Sequence, residues 1–550
     1  MDYKYLSELL FPSVTKTAED LEVEFPARNL KEGAIVSRMA PSPTGFVHLG
    51  NLVQGLTSER LSHQSGGVLF LRVEDTDRKR EVKGAVETLI ETLKHYGIQF
   101  DEGATMDGDN GIYAPYRQSQ RASIYHVYAK KLVSEGQAYP CFCTEQELEE
   151  MHAAQEKECA NFGYFGKWAK WRDRPIEEIE QMLGEGKPWV LRFRSTGSIE
   201  NKIKFTDLIK GEVEVTENDI DHVLLKSDGI PTYHFAHAVD DHLMRTTHVV
   251  RGDEWLSTLP FHLQLFRALG FKPPKYCHIG PLMKMDGTSK RKLSKRKDPE
   301  LALTYYKAEG FPVEAVYEYI LTVLNSNFED WRRANPNAHT DEFKFSYKKM
   351  NPAGSLFDAA KLRDVSKNVI SKMTAEKVYE LATEWAKEFD VDFYEKLTAD
   401  MQRTLSIFAI GRGGNKPRKD YAVWSELKEY MGFFFDDYFK LCDQPDERFD
   451  RAVIAKIVRE YADMYNPEDE QNVWFDTIKA LGEKYNFASN MKEYKANPEN
   501  YAGSVADVSG FLRLAVTGKN SSPDMYAVMG ILGKEKVVER LNSYAAEIIK

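Results

Sequence analysis

The chain is poor in cysteine, with five in 550 residues. That is too few for a disulfide framework, and a reducing compartment fits the count. No long hydrophobic run is present, so no window reads as a membrane span and no membrane partner is expected. An excess of positive charge is also missing. The 85 acidic residues outnumber the 74 basic ones and leave a net charge of −11, which excludes nucleic-acid binding through a generally basic surface. Local clusters of Lys and Arg remain able to contact phosphate. Met1 to Leu30 carries acids throughout and lacks the basic-then-apolar layout of a targeting segment, so the expected location is the cytoplasm. No internal repeat or low-complexity tract occurs.

What is present is the texture of an ordinary folded protein. Hydrophobic residues make up 42% and charged residues 29%, and aromatics are spread along the whole length, which excludes disorder. A chain of this length exceeds one hydrophobic core, so several domains are expected.

Residues 1–33 read as a short amphipathic extension. Ala34 to Ala40 is predicted as a strand, followed by the turn Pro41-Ser42-Pro43-Thr44-Gly45. Leu49, Val53 and Leu56 fall at helical spacing, and Gly66-Gly67 stops that helix. Val68 to Val73 reads as a buried parallel strand ending in Glu74-Asp75-Thr76-Asp77. Strand, turn, helix and strand in this order open a doubly wound, Rossmann-like α/β sheet. Its first half is expected over 34–115 and its second over 230–285. Between them, residues 116–229 read as an inserted α+β domain with a strand around Val190 to Phe193. Thr232 to Val239 and His248 to Gly252 have strand-like texture. Residues 286–365 form a connecting region, and 366–550 are expected to be almost entirely helical, with a break at Gly411 to Lys419.

Ligands of such sheets bind beyond the carboxyl ends of the strands, so the turn after the first strand points into the site. Gly45 and Gly50 let the backbone approach a ligand. The helix starting near Gly50 aims unpaired N–H groups at phosphate, and His48 can donate to a phosphate oxygen. By itself, a proline-rich turn with one histidine is simply a turn. The second feature is the run Lys284 to Lys297, with Lys284, Lys290, Arg291, Lys292, Lys295, Arg296 and Lys297 against Asp286 alone. The ordinary reading of such a run is a solvated loop. However, Gly287, Thr288 and Ser289 make it flexible, and Leu293-Ser294 sets a small turn between cations. A mobile lysine loop can close on a triphosphate and stabilise charge developing at its α-phosphorus.

Together, His48-Leu49-Gly50-Asn51 and Lys292-Leu293-Ser294-Lys295-Arg296 resemble the HIGH and KMSKS signatures of class I aminoacyl-tRNA synthetases. The wider sequence resembles the bacterial type of glutamyl-tRNA synthetase. The resemblance rests on Arg38 to Gly45, Leu71 to Asp77, Pro231 to Ala236, Val239 to Met244, Val250 to Trp255, Leu512 to Gly518 and Leu532 to Glu535. It runs from about Ser37 to the end.

The resemblance implies a glutamate–tRNA ligase that makes glutamyl-adenylate from L-glutamate and ATP, with Mg²⁺ carried by the ATP, and passes the glutamyl group to the 3′ end of tRNA-Glu. No covalent enzyme intermediate is needed. It implies ATP contacts from His48, Gly50, Asn51, Glu254, Trp255, Lys292, Leu293, Ser294, Lys295 and Arg296, with His48, Lys292 and Lys295 catalytic. It implies glutamate contacts from Arg38, Ser42, Glu74, Tyr233, His237 and Arg251. The chemistry agrees, because two carboxylates and an ammonium need cations and one anion. Residues 116–229 would hold the acceptor end of the tRNA, with Tyr164, Phe165, Trp168 and Trp171 available for stacking, although a core stripe explains those four equally well. Residues 286–365 would hold the KMSKS loop and a stem contact, and 366–550 the anticodon-binding region, where Arg412, Lys416, Arg418 and Lys419 are candidate phosphate contacts. A monomer is expected, and tRNA-Gln stays open as a second acceptor.

Three positions depart from the family pattern. Asn51 replaces the second histidine of the signature. His237 stands where relatives have Asn beside the substrate. For the zinc site of some relatives, Cys141, Cys143 and Tyr164 match, but Trp168 falls where the last cysteine would be and Cys159 is out of register. Tetrahedral zinc needs four ligands, so the expectation is no zinc. Among rivals, glutaminyl-tRNA synthetase tends to have Pro-Glu-Pro-Asn at Pro41 to Thr44 and reads the anticodon with β-barrels. A non-catalytic tRNA-binding paralogue should have lost His48 or the lysines.

Overall fold

The computed structural model describes residues 1–43, 47–77, 82–414 and 416–549. Thr44 and Gly45 of the predicted turn lie outside the described residues. The chain divides into two compact units, Met1–Leu303 with Ile320–Asp358, and Thr304–Tyr319 with Ala359–Lys550.

The first unit begins with helices α1 (Tyr3–Leu10) and α2 (Ala18–Glu24), followed by strand β1 (Val36–Met39), helix α3 (Leu49–Gln64), strand β2 (Val68–Leu71), helix α4 (Ala85–His95) and strands β3 (Glu102–Thr105) and β4 (Gly108–Asn110). β1, β2 and β3 pair in parallel, and β4 closes the edge antiparallel. β1 is buried at every position, so its apolar run shows no alternation. Gly67 is required where the chain turns back to β2, because a Cβ there would lie 1.9 Å from the Ile35 carbonyl oxygen.

The inserted segment contains α5 (Ala122–Ser134), β5 (Ala138–Cys141), α6 (Glu145–Lys157), α7 (Ile176–Gly184), β6 (Val190–Phe193), β7 (Lys202–Asp207), β8 (Gly211–Thr216) and β9 (Val223–Leu225). β5, β6 and β9 form an antiparallel sheet, and β7 and β8 a hairpin. The chain then returns through α8 (Tyr233–Leu243), β10 (His248–Gly252), α9 (Leu259–Leu269) and β11 (Lys275–Ile279). β10 and β11 are parallel, and β10 lies beside β1, where the Thr247 N–H donates to the Val36 carbonyl at 2.9 Å.

Two expectations are corrected here. Thr232 to Val239 is mostly helix α8, not strand. Phe235 to Asp241 is buried without a break, so no polar stripe betrays the helical period. The basic run is also not a loop through its first part. β12 (Leu282–Asp286) and β13 (Ser289–Lys292) form an antiparallel hairpin turning at Gly287.

The extension braces this unit. Phe11 packs on His126 of α5 and on Trp189 at centroid distances of 5.8 and 6.0 Å. Arg28 clamps Glu102 with two bonds of 2.7 and 2.9 Å and donates to the Met244 carbonyl. Glu22 meets His242 at 2.5 Å and Arg245 at 2.8 Å.

The second unit is helical apart from two paired strands of two residues each, Phe487–Ala488 and Gly503–Ser504. Its core includes Trp424, Leu427, Phe433, Ile457, Val458 and Leu541. Among the described residues, no helix is long and apolar enough to cross a membrane.

Candidate active site

A cavity of about 410 Å³ opens at the carboxyl ends of β1 and β10. Of the residues expected at the site, Arg38, Ser42, His48, Gly50, Asn51, Glu74, Tyr233, Arg251, Glu254, Trp255, Lys292, Leu293 and Lys295 line it. Ser294 and Arg296 do not. The Ser294 N–H instead donates to Asp298 at 2.9 Å, and Arg296 is exposed.

The start of α3 sets one side of the cavity. His48 is its N-cap, and His48 Nδ1 accepts from the Asn51 N–H at 3.2 Å while Asn51 Oδ1 accepts from the His48 N–H at 3.0 Å. This capping box gives Asn51 a role the second histidine of the signature would not fill in the same way. It also fixes the His48 tautomer, because an accepting Nδ1 leaves the proton on Nε2. Burial lowers the His48 pKa, and Lys295 and Lys292 push the same way against Glu254, so the ring stays neutral at neutral pH. Gly50 makes room for that ring, since a Cβ there would lie 2.9 Å from it. Leu293 is buried and anchors the strand end through its N–H to the Leu282 carbonyl, while Lys292 and Lys295 remain exposed at the cavity rim. Lys292 Nζ lies 3.8 Å from Glu254, with 62% of the lysine side chain and 59% of the glutamate exposed. Other cations of the run are spent locally, Arg291 on Asp298 and Asp286, and Lys284 on Glu300.

The opposite wall is buried and charged. Arg38 is 2% exposed, and its Nε donates to Asp241 at 3.2 Å. Arg72 donates to Asp241 at 2.7 Å and to Glu74 at 3.1 Å. Burial opposes the charge of Asp241, but Arg38, Arg72 and His237 outweigh it and hold this carboxyl well below the usual range. Glu74 is different. Burial pushes it up to about 7, a rise that Arg72 and Arg38 only partly offset. Arg72 and Asp241 were not singled out from sequence as site residues, although both lie in segments that carry the family resemblance.

His237 requires a correction. It does not reach the cavity but stacks behind Tyr233, with centroids 5.8 Å apart and planes at 11°. Its Nδ1 lies 2.7 Å from Asp241, and its Nε2 accepts from the Tyr276 hydroxyl at 3.1 Å. Burial holds its pKa down at about 3, so the ring is neutral and supports the wall from behind.

In the inserted segment, Cys141 and Cys143 converge on the Tyr164 hydroxyl at 3.5 and 3.6 Å. Tyr164 also accepts from the Trp171 N–H at 2.8 Å. Two thiols and a phenol fall one donor short of tetrahedral zinc, and Trp168 offers none. Among the described residues, no group of three His, Cys, Asp or Glu side chains could hold a metal ion. Tyr164 and Trp171 are core residues, whereas Phe165 and Trp168 stay partly exposed and Phe162, not singled out before, is 59% exposed. In the second unit, Arg412 is also structural. It donates to the carbonyls of Phe408 and Ile370 at 2.7 Å each, and Arg418 pairs with Asp420, which leaves Lys416 and Lys419 exposed.

The model of the family described as tRNA synthetases class I (E and Q), catalytic domain, matches residues 34–345, and an anticodon binding domain matches 418–545. The first covers more than half of the chain, so fold and site together define a class I tRNA synthetase. The chain is 50% identical over 542 residues to a glutamate–tRNA ligase of Acetivibrio thermocellus, covering 98% of this chain and 99% of that one. It is 47% identical over 551 residues to one of Clostridium perfringens, covering 99% and 100%. A crystal structure of a glutamate tRNA ligase from Elizabethkingia meningosepticum in complex with its amino acid superposes with a TM-score of 0.74 at 27% identity, over 94% of this chain and 99% of that one. This chain belongs to the glutamate–tRNA ligase family.

Proposed function

We propose that this chain joins L-glutamate to ATP, releasing pyrophosphate, and transfers the glutamyl group from the adenylate to the 3′-terminal ribose of tRNA-Glu. The observation that carries this reading is the charge layout of one cavity. Two buried arginines and a buried carboxyl form one wall, and His48 and Lys295 stand at the other side. Glutamate presents the complementary set of two carboxylates and an ammonium.

Glu74 takes the ammonium. Arg251 takes the side-chain carboxylate, which keeps its full charge throughout the reaction. The α-carboxylate loses its charge on becoming a mixed anhydride, and Arg38, already paired with Asp241, suits that end. His48 donates through Nε2 to the phosphates of MgATP at the N-terminus of α3. Lys292 and Lys295 stabilise charge that develops on the α-phosphate and the leaving pyrophosphate. Tyr233 packs against Trp255 with centroids 4.5 Å apart and planes tilted by 34°, and Trp255 and Glu254 border the adenosine. We take the chain to act as a monomer in the cytoplasm. Phe162, Phe165 and Trp168 are available to stack on the tRNA end.

The test is aminoacylation of purified tRNA-Glu and tRNA-Gln with glutamate and with glutamine. Charging of tRNA-Glu by glutamate is expected, and the tRNA-Gln arm decides whether a second acceptor is used. Charging by glutamine alone would overturn the reading.

A further inference from the structure

Arg251 and Arg38 are equally buried but differently held. Arg38 is matched by the carboxylate of Asp241. Among the described residues, no carboxylate lies within ion-pair distance of Arg251, which is 3% exposed. Its partners are rings instead. Nε donates to His278 Nε2 at 3.0 Å, and Nη1 and Nη2 point at His262 Nδ1 at 3.3 and 3.4 Å. The Tyr276 ring lies 4.8 Å from the guanidinium carbon.

Each ring is itself set by a partner. His278 Nδ1 lies 2.7 Å from Asp207 Oδ2, which keeps the proton on Nδ1 and the lone pair on Nε2, facing the arginine. Asp207 also accepts from the backbone N–H groups of Ile209 and Lys210 at 2.9 and 2.8 Å, so its own charge is already met there. His262 Nε2 lies 2.8 Å from His234 Nδ1, so His262 can donate from Nε2 and accept at Nδ1. Burial lowers the pKa of both His262 and His278, which keeps the two acceptors neutral at neutral pH.

We propose that His278 and His262 are positioning residues that hold Arg251 by uncharged acceptors, fixing its direction while leaving its positive charge for the side-chain carboxylate of the substrate. A carboxylate at either position would aim the arginine equally well but would neutralise it before substrate arrived. This inference rests on the assignment of Arg251 to the side-chain carboxylate.

The test compares isosteric variants that differ only in charge. His278→Gln keeps a neutral acceptor where Nε2 lies, and His278→Glu puts an anionic one there. His262→Asn and His262→Asp do the same for Nδ1. His278→Leu removes the acceptor altogether. KM for glutamate and for ATP is measured in aminoacylation of tRNA-Glu, with thermal unfolding to confirm folding. His278→Leu and His278→Glu are each expected to raise the glutamate KM at least tenfold with little change for ATP, while His278→Gln recovers most of the loss. If His278→Glu does not fold, the Asn and Asp pair at 262 decides by the same comparison. Equal glutamate KM in the neutral and charged variants, at whichever position folds, would overturn the inference alone. Failure of the unaltered chain to charge tRNA-Glu with glutamate would instead sink the functional reading and this inference with it.

Discussion

The two walls of the cavity are built on opposite principles. The amino-acid wall is buried, and each of its charges is held by a named neighbour, with Arg38 on Asp241, Glu74 on Arg72, and Arg251 on two histidine rings. At the nucleotide wall, by contrast, Lys292, Lys295 and Glu254 sit largely in solvent, and the Lys292–Glu254 pair is a long 3.8 Å. In the proposed reaction, the difference follows from what each side must do. Selecting one amino acid needs charges fixed before it arrives, because a mismatch then leaves a buried group unpaired. Stabilising charge that appears only in the transition state is better left to exposed groups that can move toward it as it develops.

The sharpest way to break this comparison is Arg251→Leu. Loss of the buried cation should cost about 2–5 kcal/mol of glutamate binding, read as a rise of roughly 30-fold or more in glutamate KM. A rise below tenfold would place the side-chain carboxylate elsewhere. Lys295→Ala acts on the other wall. It should lower the rate of adenylate formation, measured with tRNA-Glu present, by about 100-fold, as for loss of one transition-state donor, with a much smaller effect on glutamate KM. An unchanged rate would remove Lys295 from the mechanism.

A milder test uses pH. The Glu74 carboxyl is pushed up to about 7 by burial, so below that pH it is mostly protonated in the empty site. The substrate ammonium favours the anion, so binding below pH 7 must release a proton. Glutamate KM should therefore climb as pH falls, by up to roughly tenfold per unit, and level off about one unit above neutrality. A profile flat from pH 6 to 8 would remove Glu74 as the ammonium partner. The smallest effect is expected outside the cavity. Replacing Lys416 and Lys419 with serine should weaken tRNA binding a few-fold and lower the salt slope by about two ions at most, and an unchanged slope would show that these lysines do not meet phosphate.

The parts legible in sequence were those whose signal is local. β1, the helix after it and β2 were read from an apolar run, a helical spacing and the Gly66-Gly67 stop, and the structure has them at Val36–Met39, Leu49–Gln64 and Val68–Leu71. Val190–Phe193 is a strand as expected. Two elements misled because their signal is not local. α8 is buried without a break from Phe235 to Asp241, polar residues included, so its sequence presents no solvent face, and the hairpin at Leu282–Lys292 is masked by a density of charge that reads as solvated loop. The cavity was legible through its motifs, but its supports were not. His262 lies inside the apolar helix Leu259–Leu269 and His278 inside a short strand, and only the fold brings both to Arg251. The same reason misplaced His237, since a match to a family position beside the substrate does not say which side of the wall a ring occupies.

The N-terminal brace has a further consequence, for the order in which the molecule is completed. Arg28 finds its partners at Glu102 and at the Met244 carbonyl, and Glu22 finds His242 and Arg245. Residues 22–28 therefore have no complete docking surface until residue 245 has been synthesised. Phe11 already finds His126 and Trp189 before then, but the ion pairs of the brace stay open until its last partners are made. Closure of the brace is a long-range event, slow for entropic reasons, and it ties residues 22–28 both to β3 and to the turn between α8 and β10.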